Sequence, residues 1–322
     1  MSLRVLCLCT AALVISANAA MAQSSARPLR IVVAFAAGGP VDAMARSLAE
    51  PLAKVLGRVV LVENKPGASG AIGAAEVLKA EPDGGTLWLT SVGAAAINQS
   101  LYPNLSYHMQ RDFTPLSLVA NNVEVFVVNV KNPANDAAQF IANGKLRKEP
   151  IPIASSGKGS IPHLALLQLE QATGLELLHV PYNGMAPALT NLLGGQVAGT
   201  FADIPAVIGQ IKGGRLKALG IAAAHRHAVL PEVKTFEEQG IRAVDTNNWY
   251  ALFVASKTPA EVIRSLNKSV QQAIADPLAN ATITQSGAEP KSSSPEELAA
   301  MLKADIDKWA QLIKARNITG DE

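Results

Sequence analysis

Glycine and small hydroxyl residues recur in this chain wherever a strand-like run gives way to a helical pattern. They stand at 36–42 (AAGGPVD), 66–73 (PGASGAIG), 91–96 (SVGAAA) and 155–163 (SSGKGSIPH), and Tyr182-Asn183-Gly184 precedes a further helix. Glycine lets backbone N–H groups approach a ligand closely, and a helix N-terminus adds about half a positive charge. That is chemistry for holding a carboxylate or phosphate without arginine. A single loop of this kind is explained by turn geometry alone. Four at corresponding strand ends point to an anion.

Other chemistries lack their residues. GASGAIG spaces its glycines as G-x-x-G-x-x-G, not as the dinucleotide G-x-G-x-x-G. In GKGS, Gly159 follows Lys158 where a P-loop needs Ser or Thr on Mg²⁺. No G-x-S-x-G nucleophile elbow occurs. His225 and His227 flank Arg226 in a polar loop, and His108, His163 and His179 have no metal-ligand spacing, so neither metal nor cofactor is expected. Ser160 and His163 leave a hydrolytic pair open, yet no third group to activate them is recognisable, and a non-enzyme is expected. Asp42 falls in a first helical turn, where it complements the dipole; an anion there requires its carboxylate to turn away or meet an amino group. Asp203, closing the apolar run VAGTFAD, either lines a cleft or caps the next helix. Trp249 and Tyr250 are read as hinge packing.

The elements that must position these loops alternate along the chain. LRIVVAF, VVLVEN and TLWLTS read as buried strands, separated by helices at 41–56 (with Ala45, Leu48, Leu52 and Leu56 on one stripe) and 70–82. The same order restarts with PIPIASSG, LELLHVPY, VAGTFADI and LKALGIAA, interleaved with helices. Near-continuous apolar strands between helices imply parallel sheets covered on both faces. WYALFVAS is followed only by helical patterns at 259–275 and 295–316, which fit helices wrapping a lobe. Two α/β lobes joined by two crossings, near Phe126–Val130 and Val244–Trp249, are therefore expected, with a ligand cleft outside the strands' carboxyl ends.

Arg4, the apolar run Val5 to Ala17 and the small residues of ANAAMAQ have the layout of a secretory signal peptide over 1–22, cut after Ala22 or else Ala19. Its removal takes away Cys7 and Cys9, leaving no thiol for disulfides, catalysis or metal. A soluble protein exported to a bacterial periplasm is expected. The chain is 49% hydrophobic and 17% charged, with a formal +2 that drops by one with Arg4. Without a polybasic stretch, nucleic acid is a poor partner.

RIVVAFAAGG-x-x-D-x-x-AR, VVLVENKPGASGAIGAAEV, PDGGTLWLTS, SSGKGSIPHLA, HVPYNGMAPALTNLLGGQV, LPEVKTFEEQG and a tryptophan followed by LFVASKTP occur in this order. Together they resemble the Bug family, the periplasmic substrate-binding proteins of tripartite tricarboxylate transporters, over essentially all of 28–318. The resemblance implies a bilobal, type II-like periplasmic binding protein that closes on a small ligand, often a carboxylate or amino acid. Lobe 1 would comprise 28–128 and 246–322, and lobe 2 would comprise 129–245. In the first lobe the matching ligand positions are Phe35, Ala37, Gly38, Gly39 and Asp42, with Ala68, Ser69 and Gly70. In the second they are Ser155, Gly157, Gly159, Ser160 and His163, with Tyr182, Asn183, Gly184 and Asp203. A monomer that meets membrane transporter subunits transiently is implied, or a ligand sensor feeding a signalling system. The chain departs from the family's pattern at Ala36-Ala37, where the family is proline-rich, at Pro40-Val41, which lack its Ser/Thr hydroxyl donors, and at Lys158, usually uncharged. Lys158 either carries its ammonium out into solvent or supplies charge to the ligand's acidic end, offsetting the donors the first loop lacks.

Overall fold

Runs such as LRIVV and TLWLTS are apolar on both faces because both faces are covered, and in the computed structural model they form the centre of a sheet. The structure describes residues 27–182, 184–246 and 248–320. The expected signal peptide and Asn183 lie outside the described residues. The first sheet has the order β11-β4-β10-β3-β1-β2, from β1 (Leu29–Val33), β2 (Val60–Asn64), β3 (Thr86–Ser91), β4 (Phe113–Asn122), β10 (Asn248–Ala255) and β11 (Glu289–Pro290). The second has the order β7-β6-β8-β5-β9, from β5 (Glu124–Asn129), β6 (Ile151–Ser155), β7 (Leu177–Pro181), β8 (Gly199–Asp203) and β9 (Leu216–Ile221).

Each sheet is mixed rather than purely parallel. β1 runs parallel to β2 and β3, whereas β10 is antiparallel to both β3 and β4. In the second sheet β6 is parallel to β7 and β8, and β5 is antiparallel to β8 and β9. The two antiparallel strands are the ones by which the chain enters the other sheet. Only Val123 separates β4 from β5, so the first crossing lies at 122–124 and not at Phe126–Val130. Residues 124–128, expected in the first lobe, pair within the second sheet. Strand pairing partners distant in sequence decide which sheet an apolar run joins, and FVVNV carries no mark of it. The second crossing, at 246–248, enters β10.

The helices cover these sheets. Helix α1 (Pro40–Leu56) follows β1 with Pro40 at its first position, where the missing N–H costs nothing. It ends at Gly57, whose φ of 63° is the left-handed cap glycine favours. Its stripe of Ala45, Leu48 and Leu52 is completely buried, worth about 1.5–3 kcal/mol for each leucine. Helix α2 (Ala71–Lys79) precedes β3. A single π turn over Gly93–Ile97 and the short α3 (Asn98–Leu101) follow it, and α4 (Met109–Asp112) leads into β4. Helices α5 (Ala137–Gly144), α6 (Ile161–Thr173), α7 (Met185–Leu193) and α8 (Ile204–Lys212) serve the second sheet. Helices α9 (Ala260–Ala275), α10 (Pro277–Gln285) and α11 (Pro295–Ala315) complete the chain.

Helix α11 opens with a capping box of Ser294 and Glu297 and ties the two halves together. Its Asp305 accepts a 2.7 Å bond from Trp249 Nε1, and Lys308 donates to the Asp245 carbonyl at 2.7 Å. Arg316, just beyond its end, pairs with Glu170 of α6 at 3.0 Å. Trp249 and Tyr250 are both buried at the second crossing, as hinge packing requires.

Candidate functional site

The carboxyl ends of β1, β2 and β3 lie at one edge of the first sheet, and those of β6, β7 and β8 at one edge of the second. Segments from the two edges meet. An ideal Cβ on Gly159 would come within 2.4 Å of Leu101 Cδ1, and one on Gly287 within 3.3 Å of Ile204 Cγ2. Lys158 Nζ lies 3.5 Å from Thr319 Oγ1. All the glycine-bearing loops read from the sequence thus belong to these two edges.

In the first loop, Phe35 is half-buried, Ala37 and Gly38 are exposed, and Gly39 is the N-cap of α1 with no side chain to cap it. Ala43 is the first N–H to bond back, to the Gly39 carbonyl at 3.0 Å. The N–H groups of Val41 and Asp42 therefore belong to the first turn, which has no intrahelical acceptors. Asp42 does not occupy that mouth. Its Oδ2 accepts from Gly38 N and Arg46 Nε, both at 2.9 Å, and its Oδ1 from Asn64 Nδ2 at 2.9 Å. Burial would raise the Asp42 pKa, but these donors together hold it below the usual value. Asn64 also donates to the Phe35 carbonyl at 3.1 Å, fixing the loop's start. Gly38, read as a ligand donor, spends its N–H on Asp42.

The second loop is strained. Gly67, Ala68, Ser69 and Gly70 all have positive φ, at 118°, 45°, 51° and 96°. Left-handed backbone costs a non-glycine residue about 1–2 kcal/mol, and it persists where neighbours over-determine it. Here Asn98 Nδ2 donates to the Ser69 carbonyl at 2.6 Å, and the Ser69 hydroxyl bonds the Tyr102 hydroxyl at 3.0 Å. A surface cavity of about 430 Å³ opens beside them, lined by Ala68, Ser69, Ala71, Tyr102 and Leu105 among others.

Across the interface, the 155–160 loop is held mostly by its own side chains. The Gly157 N–H donates to Ser155 Oγ at 3.1 Å, and the Gly159 N–H to His163 Nδ1 at 2.9 Å. Ser155 Oγ also shares a 2.6 Å bond with His179 Nε2. The two imidazoles stack face to face, centroids 3.8 Å apart. Burial, then His179 and the Lys158 charge, push the His163 pKa down to about 3; burial and Lys158 lower that of His179. Ser160 donates its hydroxyl to the Gly157 carbonyl at 2.6 Å and accepts from the His163 backbone at 3.4 Å as the cap of α6. The Ser160 hydroxyl is thus spent on the Gly157 carbonyl, and Nδ1 of His163 on the Gly159 N–H. Lys158 is exposed; Tyr182 and Gly184 are half-buried, with the Gly184 N–H on the Ser156 carbonyl at 3.2 Å. Gly184 opens α7 without a side-chain cap. Asp203 is half-buried, bonds Asn248 Nδ2 at 3.1 Å and stands at the start of α8 without capping it.

Several residues that shape the site carry no motif. Asn64 follows Glu63 at the end of VLVEN, Asn98 follows the alanine-rich run GAAAI, and His179 breaks LELLHV. Only His179, a polar residue between Leu178 and Val180, stands out from its apolar neighbours.

The TctC sequence model, described as Tripartite tricarboxylate transporter family receptor, matches residues 44–318. Protein BugT of Bordetella pertussis is 33% identical over 290 residues, covering 90% of this chain and 89% of its own length. The solved periplasmic binding protein BugD superposes with a TM-score of 0.77 at 35% identity, over 91% of this chain and 99% of its own. Rpa4515 of R. palustris, solved with adipate, gives 0.81 at 29% identity, over 92% and 99%. The two mixed sheets are thus the bilobal α/β architecture of periplasmic binding proteins, and the chain belongs to the tripartite tricarboxylate transporter receptor family.

Proposed function

We propose that this protein captures a small organic carboxylate between its two lobes in the periplasm and delivers it to a tripartite tricarboxylate-type membrane transporter. The observation that carries the reading is the mouth of α1. Its first-turn N–H groups are uncapped, while the one carboxylate in that turn, Asp42, is turned onto Gly38, Arg46 and Asn64. A helix start kept free of its own acid suits an external anion. The strained 67–70 loop and the uncapped start of α7 add further backbone groups at the same two edges. Adipate in Rpa4515 supports a carboxylate as the ligand class. Ser160 and His163 shape a loop, and the protein holds its ligand without transforming it. The lobes, 28–123 with 247–322 and 124–246, close because the ligand prefers the closed state; equal affinity for both would shift nothing.

Substituting Gly39→Asp tests this. Gly39 has an ordinary φ of −81°, and an added Cβ would meet only the Ala36 carbonyl, at 3.4 Å. The fold should survive while a negative charge enters the helix mouth. Thermal-shift screening against a panel of organic acids should find a stabilising acid for the wild type and none for the variant. Equal shifts in both proteins would leave this loop an ordinary turn.

A further inference from the structure

The crossings between the sheets carry a carboxyl pair that the anion site does not use. Glu124 opens β5 directly opposite Asp203, the last residue of β8. Asn122 closes β4 opposite Asn248, the first residue of β10. These four side chains therefore flank the two points at which the chain passes from one sheet to the other. Asn248 Nδ2 donates to Asp203 Oδ1 at 3.1 Å, a bond from the first sheet to the second. Asn122 Nδ2 donates to the Tyr250 hydroxyl at 2.8 Å.

Glu124 is only 1% exposed, and its Oε2 is buried without a donor. The groups facing the pair are Tyr250 from β10 and the amides of Asn122 and Asn248. Burial keeps the Tyr250 phenol protonated far above its usual range. Among the described residues neither carboxyl forms an ion pair with a lysine, arginine or histidine; the buried His227 lies against Glu289, at 3.6 Å. Two ionised carboxylates facing each other without a cation, one fully buried and the other half-buried, cannot both keep their charge, and the buried Glu124 is the one that gives it up. A proton on Glu124 removes the repulsion and turns an orphaned acceptor into a donor to Asp203. Burial first, then the Asp203 charge, drive the Glu124 carboxyl well above the ordinary range. Burial raises Asp203 as well, against the bonds from Asn248, Glu124 and Asn122.

We propose that Glu124 and Asp203 share one proton at neutral pH, and that this proton fastens β5 to β8 at the hinge and makes it sensitive to alkali. The inference goes beyond the anion-binding reading and does not depend on it. The folded chain keeps a proton that the unfolded chain releases near the ordinary glutamate value of 4.5. The stabilisation is therefore complete below that value and declines as pH rises toward the pair's native titration. The decline is about tenfold in the folding equilibrium per pH unit. Its sign is opposite to that of a carboxylate paired with a cation.

Thermal melts from about pH 5 to 9 on wild type, Glu124→Gln and Asp203→Asn test it. The amide of Glu124→Gln donates to Asp203 as a protonated glutamate would, and it cannot ionise. Wild type should lose stability relative to this variant by about tenfold per pH unit, until the pair titrates. In Asp203→Asn, Glu124 can ionise against an amide donor, so the same dependence should shrink, which keeps the test open if Glu124→Gln fails to fold. Infrared spectra at pH 6 should show a protonated-carboxyl carbonyl band in wild type that Glu124→Gln lacks. Parallel melts of wild type and the variants, or no such band in wild type, would overturn the proposal.

Discussion

Gly159→Ala separates the fold from the meeting of the lobes. Gly159 has φ +76°, and an added Cβ would lie 2.4 Å from Leu101 Cδ1 and 3.1 Å from Cδ2. Two costs follow. Left-handed backbone for alanine costs about 1–2 kcal/mol; it falls on the 155–160 loop and lowers the melting temperature whatever the lobes do. The overlap costs about 1–3 kcal/mol in a packed setting, because Leu101 is itself only 3% exposed. Retreat of the loop from residues 98–101 relieves it, and the closed arrangement then loses that energy. Affinity for the ligand should fall about 5- to 150-fold. The double variant Gly159→Ala/Leu101→Ala removes the overlap and keeps the strain, so it should regain affinity without regaining the wild-type melting temperature. Calorimetric titration with the acid recovered from the native protein, beside melting curves, reads both quantities. If single and double variants bind as tightly as wild type, Gly159 is a turn glycine and the two edges do not meet on the ligand.

Two further outcomes follow from the loops. Asp42→Ala removes the acceptor of Gly38 N, Arg46 Nε and Asn64 Nδ2; the exposed Gly38 and Arg46 can turn to water, so the cost in chemical unfolding should be about 1–2 kcal/mol. Because the folded-state pKa of Asp42 is lowered from 3.8, the part of that difference owed to its charge should be present above about pH 4 and be lost as pH falls through the folded value; a gap that does not shrink at all in acid would contradict the role of its charge. Lys158→Asn should weaken ligand binding about tenfold and flatten its salt dependence, as loss of a charge-assisted bond implies. Equal affinity and equal salt response would leave Lys158 a surface residue beside Thr319.

The alternation of strands and helices was legible because buried parallel strands are apolar throughout and their helices carry stripes; Ala45, Leu48 and Leu52 are completely buried. The last helices also follow their patterns, α9 at Ala260–Ala275 and α11 at Pro295–Ala315. β4 escaped notice: its FTPLSLVANN mixes polar and apolar residues, although the residues from Leu116 onward are buried. The first crossing was misplaced for a related reason, since Glu124–Asn129 reads as the same kind of strand in either sheet. At the site, glycines marked the loops, but they could not mark which N–H groups the protein spends on itself. Gly38, Gly157 and Gly159 each meet an internal acceptor supplied by Asp42, Ser155 and His163. Glu124 was visible as a lone acid in NNVEVFVV, and only its pairing opposite Asp203 gave it a chemical meaning.

The proposed function requires an anion at the mouth of α1. A crystal structure of the protein with the small molecule it releases on denaturation tests that claim most directly. A carboxylate oxygen should lie about 2.7–3.1 Å from the N–H groups of Val41 and Asp42. A ligand seated away from that helix start, or one that turns a neutral or cationic group toward it, would rule out an anion site there.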